Sequence, residues 1–225
     1  MTELKAPIVV VNFKTYREVE GPKALEIAKV CEEVAERTGT TIIVCPPTLE
    51  LARVAQAVHI PVFCQHTDAK SAGANTGWIT PSAVKQTGAN GTLLNHSEHR
   101  LMLYDISASV NECKSAGLTT IVCADSPQTA MIVASYEPDY VAVEPPELIG
   151  GNVSVTDAKP EVVQKAVQAV HRVDSHIPVL CGAGVKNGKD LRKAMELGAK
   201  GVLLASGIIK AKDVKATLTE LVTGA

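Results

Sequence analysis

Eight short runs of apolar, mostly β-branched residues recur along this chain, and helix-like segments separate them. Each run is continuously apolar rather than alternating, which is typical of strands in a parallel sheet that helices cover. The runs occupy residues 7–13, 40–47, 60–66, 91–97, 119–126, 140–146, 177–184 and 201–207. Parallel strands need a long crossover between them, so this pattern predicts that strand and helix alternate throughout the chain.

The segments between the runs have the periodicity of amphipathic helices. The apolar stripe of the first such segment contains Ala24, Ile27, Ala28, Cys31, Val34 and Ala35. Gly39 is placed to end this helix, and Gly198 closes a later one. Pro160 stands near the start of another helix, where proline is well tolerated.

Strands that each lead into a helix predict an α/β protein with the (β/α)8 barrel architecture. The chain has 225 residues, a size that suits one such barrel, and no linker or low-complexity stretch divides it. We therefore expect residues 1–225 to form a single domain. An open, doubly wound sheet is the competing architecture, but the first strand leads into Asn-Phe-Lys-Thr-Tyr without the glycine fingerprint of dinucleotide-binding sheets.

Composition and charge exclude several classes of partner. Hydrophobic residues make up 46% of the chain and charged residues 20%, and the formal net charge of -2 provides no basic field for nucleic acid. No apolar run approaches the roughly 20 residues of a membrane span, and the first residues lack a signal-peptide pattern. We expect a cytoplasmic protein. Its six cysteines have no metal-ligand spacing, so we expect reduced core side chains and no zinc.

Polar and charged residues follow several predicted strands, where a barrel of this type places its active site. These residues are Asn12, Lys14, His96, Glu98 and Glu144. A lone lysine or histidine at a strand end is more often solvated or structural, so the inference depends on their convergence. Lysine stabilises developing negative charge, and a neutral imidazole donates a hydrogen bond to a carbonyl. Ser97 and Glu98 stand where a helix could begin, and its dipole would favour neutral His96.

Glycine-containing turns follow the seventh and eighth predicted strands, in the sequences Cys-Gly-Ala-Gly and Ala-Ser-Gly. Small residues let backbone N–H groups approach an anion, and a helix start behind them adds its dipole. Barrels frequently bind phosphate after their seventh and eighth strands. The two turns together therefore predict a phosphorylated small molecule as the ligand.

Taken in order, these motifs resemble the triosephosphate isomerase family over essentially the whole chain, and they look most like its archaeal branch. The matching motifs are Asn-Phe-Lys, Asn-His-Ser-Glu, Ala-Val-Glu-Pro-Pro-Glu-Leu-Ile-Gly, Cys-Gly-Ala-Gly-Val and Leu-Leu-Ala-Ser-Gly. The resemblance implies a TIM barrel isomerase of glycolysis and gluconeogenesis. Such an enzyme interconverts dihydroxyacetone phosphate and D-glyceraldehyde 3-phosphate through an enediol(ate), without metal or cofactor.

The resemblance also implies roles for the matching residues. Glu144 would be the base that moves a proton between neighbouring carbons, and His96 would be the neutral electrophile that polarises the carbonyl. Lys14 would stabilise developing charge beside the acid Glu98, and Asn12 would help to bind the substrate. Backbone amides for the phosphate would come from Ile149, Gly184, Ala205 and Ser206, with Gly150 and Gly207 close by.

Two loops of the family have counterparts here. The loop after Glu144 would be a lid that excludes water from the intermediate, but Gly151 replaces an expected hydroxyl residue and makes closure costlier in entropy. The third connection has a Gly-x-x-Thr-Gly centre at 73–77 and resembles a loop that inserts into a partner subunit; a mobile surface loop is the alternative. We expect a homodimer or homotetramer. His66 and Trp78 receive no role.

Two other functions stay open on the sequence. The chain could be another phosphate-binding barrel, such as a sugar-phosphate epimerase or a glycerol-phosphate synthase. An epimerase would need metal-ligating histidines and aspartates at several strand ends, which the sequence does not show. A non-catalytic phosphometabolite sensor would keep the pocket and lose the chemistry, whereas Glu144, His96 and Lys14 are all present.

Overall fold

Eight parallel strands form the centre of the protein in a computed structural model, which describes residues 4–145 and 155–224. The strands are β1 (Ile8–Asn12), β2 (Thr41–Cys45), β3 (Phe63–Cys64), β4 (Gly91–Leu94), β5 (Thr119–Ala124), β6 (Tyr140–Val143), β7 (Val179–Cys181) and β8 (Gly201–Leu204). Each strand falls inside one of the apolar runs. The predicted eight strands and the (β/α)8 barrel are therefore confirmed.

The strands pair in the order β2-β1-β8-β7-β6-β5-β4-β3, and every pair is parallel. A parallel bridge between Val44 and Val62 joins the two ends of this order, so the sheet closes on itself. Closure leaves no long strand edge exposed. Parallel pairing also brings all eight carboxyl ends to the same end of the barrel.

Helices surround the strands in the expected alternation. They are α1 (Pro22–Thr38), α2 (Leu51–Ala55), α3 (Pro81–Gln86), α4 (Leu103–Ala116), α5 (Pro127–Ala134), α6 (Val155–Ala158), α7 (Pro160–Val173), α8 (Gly188–Glu196), α9 (Ser206–Ile209) and α10 (Val214–Thr223), with 3₁₀ turns at Arg17–Val19 and Thr48–Glu50. Within the described ranges, none of these helices is long and apolar enough to cross a lipid bilayer.

Local signals in the sequence set the helix ends. Pro160 occupies the first turn of α7, and Gly39 ends α1 in the left-handed conformation at φ 70°. Asn187 and Asp190 form a reciprocal capping box at the start of α8. The ends at Gly39 and Pro160 agree with the predicted ones because caps are short-range interactions that the local sequence determines.

Side chains of each strand alternate between the barrel interior and the surrounding helix layer. In β1, Ile8 and Val10 belong to the interior cluster, whereas Val9 and Val11 pack in the layer shared with the helices. This alternation explains why the runs are apolar throughout: both faces of every strand are buried. The apolar stripe of α1 packs against the same outer layer.

Candidate active site

Buried polar side chains gather at the carboxyl ends of the strands. Asn12, His96 and Glu144 are only 3%, 6% and 4% exposed. Lys14 reaches the same place and is nearly buried. Polar groups this deep in a protein normally have hydrogen-bond partners.

Glu144 directly follows β6, and the barrel fixes its backbone. Its N–H donates to the carbonyl oxygen of Ala124 at 2.8 Å, which continues the pairing of β5 with β6. Within the described ranges, the Oε2 atom of its carboxylate is buried and has no hydrogen-bond partner. A buried polar atom without a partner costs free energy. This oxygen is therefore available to a group that a bound molecule supplies.

A backbone contact determines the tautomer of His96. The N–H of Glu98 donates to Nδ1 of the ring at 3.2 Å, so Nδ1 is an acceptor and Nε2 holds the hydrogen of the neutral imidazole. Nε2 lies 3.6 Å from Oε2 of Glu144, which is too far for a hydrogen bond. The N–H donor and the carboxylate acceptor thus face the same cleft without satisfying each other.

The prediction that a helix begins at Ser97 and Glu98, behind His96, was wrong. Residues 97–99 form a turn, and α4 begins only at Leu103. Helix dipoles act within about one turn of the helix end, so α4 does not explain the state of the ring. The helix starts late because Asn95 accepts the N–H of Leu101 on its Oδ1 at 2.9 Å and draws the chain into a loop. The N–H of Glu98 fixes the tautomer of the ring instead.

Lys14 enters the cleft from the end of β1. Its Nζ donates to Oε1 of Glu98 at 2.6 Å, which confirms that these two residues are neighbours. The backbone of Lys14 is left-handed at φ 50°, and Oδ1 of Asn12 accepts its N–H at 2.9 Å. A positive φ is uncommon for a residue with a side chain. The backbone at the end of β1 therefore adopts an unfavourable conformation that directs the ammonium group into the cleft.

Two residues that the sequence did not single out for these roles also shape the site. Nε2 of Gln65 donates to the carbonyl oxygens of Lys14 and Cys45, both at 2.9 Å, and so ties the ends of β1 and β2 together. A Cβ atom on Gly182 would lie 2.4 Å from Cγ of Glu144, so only glycine leaves room for that side chain. Both residues act on neighbours distant in sequence, which a local pattern does not reveal.

The turns after β7 and β8 form the other end of the cleft. Ala183 and Gly184 both have left-handed backbones, at φ 69° and 73°. The cleft encloses about 480 Å³ including its open mouth. The predicted residues that line it are Lys14, His96, Glu144, Gly184, Ala205, Ser206 and Gly207. Ile149, together with 150–151 of the predicted lid, lies outside the described residues.

An adjoining cleft lies beside β1 and β3. It shares Lys14 and His96 with the first, and its further lining includes Asn12, Gln65, His66, Glu98 and His99. Trp78 is largely exposed, with Nζ of Lys70 4.8 Å from its ring centroid. Among the residues that the structure describes, no group of three or more histidine, cysteine or acidic side chains is arranged to hold a metal ion.

Thiolate chemistry is disfavoured at the site. All six cysteines are buried and free. Burial raises the pKa of the Cys64 thiol, and burial followed by the charge of Glu144 raises the pKa of Cys181 to about 12. Burial and the same carboxylate hold the pKa of Cys123 well above its usual range. These thiols therefore stay protonated at neutral pH and are poor nucleophiles.

Comparison with known proteins gives the same family as the motifs. The family model for triosephosphate isomerase matches residues 7–223 of the chain. The triosephosphate isomerase of Methanocaldococcus jannaschii is 49% identical over 215 residues, which cover 96% of this chain and 98% of the relative. That of Methanothermus fervidus is 50% identical over 217 residues, with the same coverage of each chain. That of Methanobacterium bryantii is 49% identical over 224 residues, 99% of both chains.

A solved structure shares the fold. The crystal structure of triosephosphate isomerase from Bartonella henselae superposes with a TM-score of 0.74 at 19% identity, covering 95% of this chain and 98% of that chain. The methanogen relatives support the resemblance to the archaeal branch. Because the family matches nearly the whole length and these relatives are about half identical to it, the chain belongs to the triosephosphate isomerase family.

Proposed function

We propose that the chain interconverts dihydroxyacetone phosphate and D-glyceraldehyde 3-phosphate by moving a proton between adjacent carbons. The observation that carries this proposal is the buried Oε2 of Glu144, which lacks a partner among the described residues and lies 3.6 Å from Nε2 of His96. The names of the relatives support the same reaction. The cytoplasmic location expected from the sequence remains part of this proposal.

The reaction needs a base and an electrophile in one dry site. A hydrogen on carbon next to a carbonyl is weakly acidic, so its removal requires stabilisation of the enediolate oxygen. Glu144 takes this proton on Oε2, and the resulting carboxylic acid returns it to the neighbouring carbon. The Nε2–H of His96 donates to the carbonyl oxygen and then moves protons between the two oxygens. Its Nδ1 contact supports this role because it leaves Nε2 as the donor.

Charge and binding come from the remaining residues. The ammonium group of Lys14 stabilises the negative oxygen of the intermediate, and Glu98 holds that ammonium in place. Asn12 shapes the turn before Lys14 and helps to bind the substrate. The phosphate lies on the backbone N–H groups of Gly184, Ala205 and Ser206, whose small side chains permit close approach. Ile149 contributes to this set by family resemblance alone.

The two alternative functions are not favoured. Relatives that cover almost the entire chain are named as the isomerase rather than as an epimerase or synthase. A sensor that had lost the chemistry would not need a carboxylate buried at a cost beside an imidazole donor. The contacts of Glu144 and His96 therefore support a catalyst.

We also propose that the chain associates with further copies of itself. The adjoining cleft, lined in part by Asn12 and Glu98, is open beside the active site. In this proposal it receives the third connection of a partner. Separately, Met102 and Tyr104 at the start of α4 are 74% and 80% exposed. Exposed apolar side chains that cluster in this way are typical of contact surfaces. A dimer through the first surface and a tetramer through the second fit these features.

Replacing the base tests the proposed reaction. Glu144→Gln keeps the shape of the side chain and removes its basicity, so we expect kcat to fall about 10³-fold or more with little change in KM. A coupled assay with glyceraldehyde 3-phosphate measures both constants. Glu26→Gln, the same change on the exposed face of α1, should be as active as wild type. Inactive wild-type protein, or an active Glu144→Gln variant, would contradict the proposal.

Crowding the base tests the role of Gly182. In Gly182→Ala the new methyl group would displace the Glu144 side chain, and a misplacement of about 1 Å can lower kcat about 10²-fold. The same coupled assay, together with a thermal unfolding curve, separates lost activity from lost stability. Glu26→Gln, on the exposed face of α1, again serves as the control. Equal kcat values for the two variants would show that the contact has no catalytic importance.

The third connection can be tested by sedimentation. Thr76→Arg adds a bulky charge to the proposed contact with a partner, so we expect the variant to sediment as a smaller species than wild type. Ala216→Arg, on the exposed side of α10, provides the control and should leave the distribution unchanged. Identical sedimentation of Thr76→Arg and wild type would exclude the third connection as the contact.

A further inference from the structure

His66 is a buried ionisable residue that the proposed mechanism does not use. It follows β3 and lines the cleft that adjoins the catalytic one. Its Nε2 lies 3.1 Å from Oδ1 of Asp68. Its ring stacks on that of His99, with the centroids 4.0 Å apart and the planes inclined by 26°. His66 therefore links the third connection to the turn that follows β4.

Asp68 is fixed by the far end of the third connection. Its Oδ2 accepts the N–H of Ile79 at 2.7 Å, and its own N–H donates to the carbonyl oxygen of Ile79 at 2.8 Å. The carbonyl oxygen of His66 accepts the thiol of Cys64 at 3.0 Å. Because both its backbone and its ring are held, His66 presents a fixed surface to His99.

His99 ends the turn that contains the catalytic imidazole. Its N–H donates to the carbonyl oxygen of His96 at 2.8 Å. Within the same turn, Glu98 donates its N–H to Nδ1 of His96 and accepts the ammonium group of Lys14. A ring held at the end of this turn therefore restricts the two contacts that define the tautomer of His96 and the position of Lys14.

We propose that the His66–His99 stack, held by Asp68, positions the catalytic turn. The inference depends on the proposed function, since it assigns the stack to the same reaction. Two neutral imidazoles pack face to face, whereas two imidazolium rings at this distance repel each other. Protonation of both rings therefore releases the turn from the third connection and disturbs the Nδ1 contact of His96.

The groups around the stack define its response to pH. Asp68 on the same connection is negative, as is Glu98 in the adjoining cleft, while Lys14 on β1 is positive; the imidazole of His96 also lines this cleft. The thiol of Cys113 on α4 lies against Thr67 and stays protonated because burial raises its pKa to about 11.

Burial lowers the pKa of His66, the contact with Asp68 opposes this shift, and the electrostatic effect of His99 adds to the lowering. Since the folded pKa lies below the unfolded one, the unfolded chain binds more protons at intermediate pH. The stability linked to neutral His66 is therefore present above about pH 6.5 and is lost as pH falls through the lowered folded value. The stack is accordingly intact at neutral pH and weakens in acid.

Two substitutions of His99 separate the effect of the flat ring on kcat from the effect of its charge. His99→Lys removes the flat ring that stacks on His66 and puts a hydrated ammonium group in its place. We therefore expect kcat at about pH 8 to fall about tenfold with KM changed less than about twofold, because the phosphate turns are untouched. His99→Phe keeps a flat ring without charge, so we expect kcat at about pH 8 to be within about twofold of wild type. We also expect kcat to fall less steeply than in wild type as the pH decreases from about 7 to about 5.5. His176→Lys, on an exposed histidine before β7, should match wild type.

An NMR readout distinguishes this inference from the proposed function. In wild type and His99→Phe, the ¹⁵N shift of Nδ1 in His96 should report an acceptor, and in His99→Lys it should move. Unfolding midpoints show whether the variants fold. Unchanged kcat and an unchanged Nδ1 shift in His99→Lys would overturn the positioning role, as would a wild-type acid limb in His99→Phe. Wild-type protein without isomerase activity would instead refute the proposed function, while the NMR comparison would still decide the contact.

Discussion

Parallel pairing of the strands brings the carboxylate of Glu144 and the imidazole of His96 to opposite sides of one cleft. β5 pairs with both neighbours: Val122 lies opposite Leu94 of β4, and Ala124 lies opposite Val143 of β6. The two functional residues therefore project from strand ends that the barrel holds in register. The 3.6 Å separation between their side chains depends on this register rather than on a direct bond between them.

The site leaves one oxygen of its proposed base without a hydrogen-bond partner. The buried Oε2 of Glu144 lacks a partner among the described residues, although buried polar groups normally have one. The packed barrel interior and outer layer provide the stability that offsets this cost. Gly182 permits the arrangement by leaving space beside the carboxylate. A buried polar group without a partner is the kind of locally unfavourable feature that proteins retain at functional sites.

Much of the fold could be predicted from the sequence, because the apolar runs of the strands and the helix caps depend on local patterns. Residues at strand exits were predictable as well, since a parallel barrel places all of them at one end. The start of α4 was not, because it depends on a contact from Asn95 to Leu101 across a loop. Likewise, the space at Gly182 and the stack of His66 on His99 arise only when distant strands meet.

The central claim is that the hydrogen leaves carbon as a proton accepted by Glu144. Isomerisation of dihydroxyacetone phosphate in D₂O tests this most directly, because a proton held on a carboxylic acid exchanges with solvent in some turnovers before it returns to carbon. The account predicts that glyceraldehyde 3-phosphate formed by the wild-type protein contains deuterium at the carbon next to its aldehyde, measurable by ¹H NMR. Product that contains only hydrogen at this carbon would indicate direct hydride migration and would contradict the account.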